Sequence, residues 1–125
     1  MRVLQQAIRI YTERSQWETA IQFYETLQGV PCERRVHIDE TNVDAAKVGG
    51  VLLLGADQET LDTLRLVTAV YYVDSLDESY SCLKTNGAEI LHGPQTVTGG
   101  RNLTARHPDG LIVEYFEPAK KKENA

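Results

Sequence analysis

The sequence predicts an α+β fold in which one pattern, a strand, a helix and three further strands (βαβββ), occurs twice. In both halves an apolar strand leads into a helix that a glycine ends, Gly29 in the first half and Gly87 in the second. Ile10 lies 63 residues before Val73, whereas Gly29 lies 58 residues before Gly87, so the second helix is shorter. We therefore predict a repeated architecture rather than a repeated sequence. An unrelated α+β fold that alternates by chance is the alternative.

The first half begins with a predicted strand at residues 4–11, in which apolar side chains alternate with polar ones. Ser15 and Glu18 have the spacing of a capping box, which predicts that a helix begins there. That helix is predicted to end at Gly29. Three strands are predicted after it, at residues 30–38, 42–48 and 51–54.

The second half repeats this order after a polar connector at residues 56–64, which has room for a helical turn. A strand at residues 66–73 precedes a second capping box, formed by Ser75 and Glu78, and Gly87 ends the second helix. Strands are then predicted at residues 89–91, 103–106 and 111–116. The predicted organisation is one compact domain made of a first module (1–55), the connector (56–64), a second module (65–118) and a disordered tail (119–125).

Composition narrows the function classes. The formal net charge of −5, without a clustered basic surface, argues against nucleic acid as a partner. No apolar run approaches the about 20 residues that span a bilayer, and no signal-peptide pattern is present. Cys32 and Cys82 lie far apart and without metal-site or redox-motif spacing, as is typical of reduced packing residues. We predict a cytoplasmic protein with no membrane partner.

The most specific motif is the Pro108-Asp109-Gly110 turn, which opens directly onto an apolar strand that contains Glu114. A carboxylate inside an apolar strand is costly unless it is paired or faces a cavity. Glu114 is therefore the first candidate functional residue. The alternative is an acid that reaches solvent on an exposed strand face.

Four segments together resemble the vicinal oxygen chelate superfamily, which includes glyoxalase I, bleomycin-resistance proteins and extradiol dioxygenases. The segments are Ile-Arg-Ile-Tyr-Thr at 8–12, Phe-Tyr-Glu-Thr-Leu at 23–27, Val-Tyr-Tyr-Val-Asp-Ser-Leu at 70–76, and residues 107–114. The resemblance implies two βαβββ modules that form a curved mixed sheet, a cup with helices outside and a ligand on its concave face. It also implies a homodimer.

The same resemblance implies where a divalent metal would be held. The family's ligand positions correspond to Gln5, Leu52, Thr68 and Glu114. Metals of this kind prefer imidazole and carboxylate ligands, and only Glu114 supplies one. We therefore predict no metal site and no cofactor. The sequence also lacks a nucleophile in an elbow motif.

The alternation of side chains along strands, counted from Gln5 and Glu114, predicts the residues that face the cleft. The predicted ligand-binding residues are Gln5, Arg9, Leu52, Leu54, Thr68, Tyr72, Ile112, Glu114 and Phe116. A mostly apolar cleft with a few polar groups is typical of small-molecule sites. In the alternative, Arg9 and Glu114 pair with each other and the cup is a filled core.

The predicted function is that of a glyoxalase-like or bleomycin-resistance-like protein that binds an amphipathic or aromatic small molecule without the family's metal. One alternative is a metal-dependent lyase or dioxygenase with a degenerate ligand set, in which Glu114 is the candidate catalytic residue. The other is a structural dimer module without a ligand. Whether the protein is an enzyme stays open, with the residues favouring a binding protein.

Overall fold

The computed structural model describes residues 1–120 and contains the βαβββ order twice. Its elements are β1 (Val3–Glu13), a 3-10 helix (Arg14–Gln16), α1 (Trp17–Gln28), β2 (Arg34–Ile38), β3 (Val43–Val48), β4 (Val51–Ala56), α2 (Gln58–Leu64), β5 (Ala69–Val73), α3 (Leu76–Thr85), β6 (Glu89–Val97), β7 (Gly100–Arg106) and β8 (Ile112–Pro118). The predicted α+β class is therefore confirmed. Among the described residues, no helix is long and apolar enough to cross a membrane.

The chain divides into two units. One contains Gln6–Val70 and is called the N-terminal unit; the other contains Met1–Gln5 and the residues from Tyr71 onward, and is called the C-terminal unit. The divisions fall within β1 and β5. Of the tail predicted at residues 119–125, residues 121–125 lie outside the described part of the chain.

In the N-terminal unit, the strands follow the order β2-β3-β4-β1. The β2–β3 and β3–β4 pairs are antiparallel, and β4 pairs with β1 in parallel. Helix α1 packs on one face of these strands, where Ile21 and Leu53 are fully buried. Trp17 fixes the start of the helix to the sheet because its Nε1 donates a hydrogen bond to the Leu53 carbonyl oxygen (3.0 Å).

The opposite face of the N-terminal unit is covered by α2, the helix formed by the predicted connector. Asp57 begins this helix by accepting a hydrogen bond from the backbone N–H of Thr60 (2.8 Å). Leu61 of α2 is fully buried in a cluster with Leu54 and Ala45 of the strands, and Leu64 packs against the same cluster. The connector is thus part of the core, because its two leucines share one side of the helix.

In the C-terminal unit, the strands follow the order β5-β8-β7-β6, and the β8–β7 and β7–β6 pairs are antiparallel. Helix α3 covers one face. Its buried Leu76 and Leu83 pack in one cluster with Leu103 of β7 and Val113 of β8. The side chains that alternate with these strand residues lie on the face that α3 does not cover.

The two predicted capping boxes have different outcomes. The second is confirmed, since Ser75 Oγ accepts a hydrogen bond from the backbone N–H of Glu78 (3.2 Å). The first is wrong: Ser15 lies inside the 3-10 helix, and α1 begins after Gln16 without a side-chain cap. The 3-10 turn already directs the chain into the helix, so no side-chain cap forms. Gly29 ends α1 as predicted, with a φ of 66° that favours glycine.

The β6–β7 hairpin is longer than the sequence predicts. The predicted strands at 89–91 and 103–106 extend to Glu89–Val97 and Gly100–Arg106 because the chain reverses tightly at Thr98 and Gly99. Pro94 is accommodated since β6 is the last strand in the order of this unit. The longer hairpin adds side chains to the face that α3 does not cover.

Candidate functional site

Strand β8 places Glu114 on the face of the C-terminal unit that α3 leaves uncovered. Val113 and Tyr115 point to the α3 side and are buried. Ile112, Glu114 and Phe116 alternate with them and are half-buried. Three of the predicted ligand-binding residues thus share one partly accessible face.

Glu114 belongs to a hydrogen-bonded row that crosses three strands. Asn102 of β7 donates through Nδ2 to Glu114 Oε2 (3.0 Å). Gln95 of β6 lies directly opposite Asn102 and donates through Nε2 to Asn102 Oδ1 (3.1 Å). We call Gln95, Asn102 and Glu114 the amide row. It runs from a half-buried carboxylate to an exposed glutamine.

Two aromatic residues lie on the same face as the amide row. Tyr72 and Phe116 are half-buried and meet edge to face, with ring centroids 5.9 Å apart and an interplanar angle of 74°. Phe116 is the direct cross-strand partner of Asn102. The C-terminal unit therefore brings Tyr72, Ile112, Glu114 and Phe116 together with two amides that the sequence did not identify.

The other predicted ligand-binding residues are Arg9, Leu52, Leu54 and Thr68 of the N-terminal unit and Gln5 of the C-terminal unit. Leu52 and Leu54 belong to the cluster under α2, where Leu54 is only 3% exposed. The Arg9 guanidinium lies 5.4 Å from the centre of the Tyr11 ring. Thr68 is exposed just before β5, and Gln5 is exposed in the part of β1 that belongs to the C-terminal unit. The buried position of Leu54 therefore excludes its side chain from a ligand-binding surface of this unit.

The residues at the family's metal positions do not suit a divalent metal. Leu52 has no ligand atom, Gln5 and Thr68 offer only neutral oxygens, and Glu114 is engaged by Asn102. Within residues 1–120, no group of three or more His, Cys, Asp or Glu side chains is arranged to hold a metal ion.

A second polar pair lies on the α3 side of the same unit. His107, just before the Pro108-Asp109-Gly110 turn, is half-buried, and its Nε2 lies 2.6 Å from the Tyr115 hydroxyl oxygen. Burial, together with the nearby Tyr71 and Cys82, raises the pKa of Tyr115 to about 12. The pair is structural and lies across the sheet from the amide row.

Tyr115 predicts a loss of stability at high pH. The unfolded chain gives up the phenol proton near pH 10 and the folded protein only near pH 12, so the unfolding free energy falls as the pH rises between these values. Tyr115→Phe is expected to be less stable at pH 8 by about 1 kcal/mol, because the bond to His107 is lost. Between pH 8 and pH 11 it should lose less stability than the wild type in urea unfolding. If the unfolding free energies of the two proteins changed equally with pH, the result would contradict the raised pKa of Tyr115.

Comparison with known proteins identifies relatives by structure. No protein-family model matches the chain, and no curated protein matches it. A crystal structure of an uncharacterized hypothetical protein from Methanosarcina mazei is 38% identical, with 100% of both chains covered and a TM-score of 0.88. The chain belongs to the family of this Methanosarcina mazei protein.

This family shares its fold with methylmalonyl-CoA epimerases. The epimerase from Mycobacterium tuberculosis is 20% identical over 94% of this chain and 90% of its own, with a TM-score of 0.69. The epimerase from Streptomyces coelicolor, in complex with 2-nitronate-propionyl-CoA, is 16% identical over 99% of both chains, with a TM-score of 0.68. The structural neighbours thus include members of the glyoxalase-like, vicinal oxygen chelate fold family. At these identities, the likeness establishes the fold alone.

Proposed function

We propose that the protein binds an amphipathic or aromatic small molecule on the face of the C-terminal unit that carries the amide row. The observation that carries the proposal is the bond from Asn102 to Glu114 (3.0 Å) beside the Tyr72–Phe116 pair. The aromatic rings supply apolar contact area, and the amide row supplies oriented polar groups. We further propose membership of the vicinal oxygen chelate superfamily, without its metal.

Partial exposure supports a binding face rather than a filled core. Ile112, Glu114 and Phe116 keep accessible surface, whereas Val113 and Tyr115 on the other face of the same strand are 0% and 4% exposed. A ligand that covers the half-buried residues would remove apolar surface from water, which stabilises the complex by about 25 cal/mol per Å² of that surface. It would also exclude water from the amide row, which strengthens those hydrogen bonds.

Glu114→Gln tests the proposal with 2-naphthol as the probe. The substitution preserves the side-chain shape and removes the charge, so the affinity is expected to fall about tenfold while the protein stays folded. Glu89→Gln is the matched control. It removes an exposed charge of the same unit that accepts a bond from Arg106 (2.6 Å), and it should keep wild-type affinity. Affinity is measured by isothermal titration calorimetry.

Two results would contradict the proposed function. Equal affinities of the Glu114→Gln and Glu89→Gln variants would show that Glu114 takes no part in binding. Unfolding of the Glu114→Gln variant, seen as a loss of near-ultraviolet circular dichroism, would show that this carboxylate has a structural role.

A second candidate function is proton transfer by Glu114 as a general base. The observation that favours it is the fold shared with the methylmalonyl-CoA epimerases, combined with a half-buried carboxylate. Incubation with methylmalonyl-CoA in D₂O, followed by NMR, distinguishes the two functions. Exchange of the substrate's C2 proton that Glu114→Gln abolishes would establish an enzyme, and its absence would leave the binding function.

We also propose that the protein forms a homodimer. Phe23 and Leu27 lie one turn apart on α1 and are 58% and 66% exposed, an apolar surface that a second copy can cover. Light scattering coupled to gel filtration tests this proposal. The proposal requires twice the chain mass, and a single chain mass at high protein concentration would contradict it.

A further inference from the structure

The hydrogen bonds of the amide row can run in only one direction. A carboxylate accepts hydrogen bonds and donates none, so Asn102 must present its NH₂ group to Glu114. Asn102 Oδ1 then faces Gln95, which must donate through its own NH₂ group (3.1 Å). The charge on Glu114 therefore fixes the orientation of both amides.

This direction places a carbonyl oxygen at the exposed end of the row. Gln95 is exposed in β6, and because its Nε2 donates to Asn102, its Oε1 is the acceptor that terminates the row. Hydrogen bonds in a chain polarise one another. The negative charge on Glu114 thus makes Gln95 Oε1 a stronger acceptor than the oxygen of an isolated glutamine.

The aromatic pair and the exposed oxygen are separated by a definite distance across the sheet. Phe116 lies on β8, directly opposite Asn102 on β7, and Asn102 lies directly opposite Gln95 on β6. Two strand spacings therefore separate Phe116 from Gln95, about 10 Å. That separation is comparable with the length of a bicyclic aromatic molecule that carries one polar substituent.

We propose that Gln95 and Asn102 determine which ligands this face accepts. The ligand class is a bicyclic aromatic or similarly sized amphipathic molecule that carries a hydroxyl, amine or amide N–H group. Its ring contacts Tyr72 and Phe116, and its polar group donates a hydrogen bond to Gln95 Oε1. Gln95 is the specificity-determining residue, and Asn102 is a positioning residue that acts through it. This inference rests on the proposed function of the same face.

A pair of probes that differ in one hydrogen-bond donor tests the inference. 2-Naphthol carries a hydroxyl donor, and 2-methoxynaphthalene has the same rings without it. The wild type is expected to bind 2-naphthol about threefold to tenfold more tightly. In Gln95→Met the ratio of the two affinities should fall to about one. Asn102→Leu, which interrupts the row but keeps Gln95, should also lower the ratio.

Gln58→Met provides the matched control because Gln58 is an exposed glutamine in α2 of the other unit, bonded to Asp62 (3.0 Å). It should keep the wild-type ratio. A ratio that Gln95→Met leaves unchanged would overturn the inference. Equal binding of both probes to the wild type, with both weakened by Glu114→Gln, would overturn the inference while the proposed function stands. Binding of neither probe to the wild type would contradict both.

Discussion

Replacing Leu61 by Ala is expected to lower the free energy of unfolding by about 3 kcal/mol. Leu61 is fully buried between α2 and the strands of the N-terminal unit, where it contacts the cluster that contains Leu54. The substitution removes buried apolar surface and leaves a cavity that a seven-residue helix fills only in part. Urea denaturation, followed by circular dichroism, measures the change.

Leu66→Ala is the control for this prediction. Leu66 follows α2 closely in the chain but is 74% exposed, so the same chemical change should alter the free energy of unfolding by less than about 0.5 kcal/mol. Similar losses of unfolding free energy for Leu61→Ala and Leu66→Ala would show that α2 does not pack tightly on this face of the unit. The Leu52 and Leu54 face would then be open to a ligand.

Gly100→Ala is expected to cost about 3 kcal/mol, at the upper end of the range for overpacking. A Cβ atom on Gly100 would lie 2.1 Å from the carbonyl oxygen of Glu117 on the neighbouring strand. That oxygen belongs to the backbone of β8, so the clash cannot be relieved by rotating a side chain. The β7–β8 register would have to shift, and this register places Asn102 beside Glu114.

Gly50→Ala serves as the comparison. A Cβ atom there would meet only the Gln28 side-chain oxygen, at 3.8 Å, which is an ordinary contact. This variant should unfold with nearly the wild-type free energy in urea, and it should bind 2-naphthol normally. Gly100→Ala should lose both stability and affinity. A stable Gly100→Ala variant with full affinity would contradict the role of this strand pair in the site.

Helix α3 shows which features the local sequence is sufficient to predict. Ser75, Leu76 and Leu83 appear in the sequence at the spacing of an N-cap and an apolar stripe, and the structure uses them in those roles. Signals of this kind lie within a few residues of one another. They therefore do not depend on which distant element the helix packs against.

The position of α2 shows what local chemistry leaves open. The connector is polar apart from a few leucines, and its sequence predicts a helical turn without specifying which sheet face those leucines cover. The face is decided by packing against Leu54 and Ala45, which belong to two different strands outside the connector. For this reason Leu54, which the alternation along its strand assigns to the cleft, is a core residue in the structure.

The sequence predicts only part of the candidate site, because it shows the alternation of side chains along one strand but not the register between two strands. Alternation along one strand correctly places Ile112, Glu114 and Phe116 on one face. Gln95 and Asn102 depend on the register between β6 and β7, which shifts on both sides of His92. Irregularities of this kind displace the alternation, so the sequence alone could not align Gln95 with Asn102.

Titration of ¹⁵N-labelled protein with 2-naphthol, followed by NMR, tests whether the face that carries the amide row binds a ligand. The side-chain NH₂ groups of Gln95 and Asn102 lie in the amide row and report on ligand binding at that face. We predict that both signals shift together, whereas the side-chain signal of Gln58 in α2 stays in place. Saturable shifts confined to residues outside this face, or no saturable shift at all, would contradict this prediction.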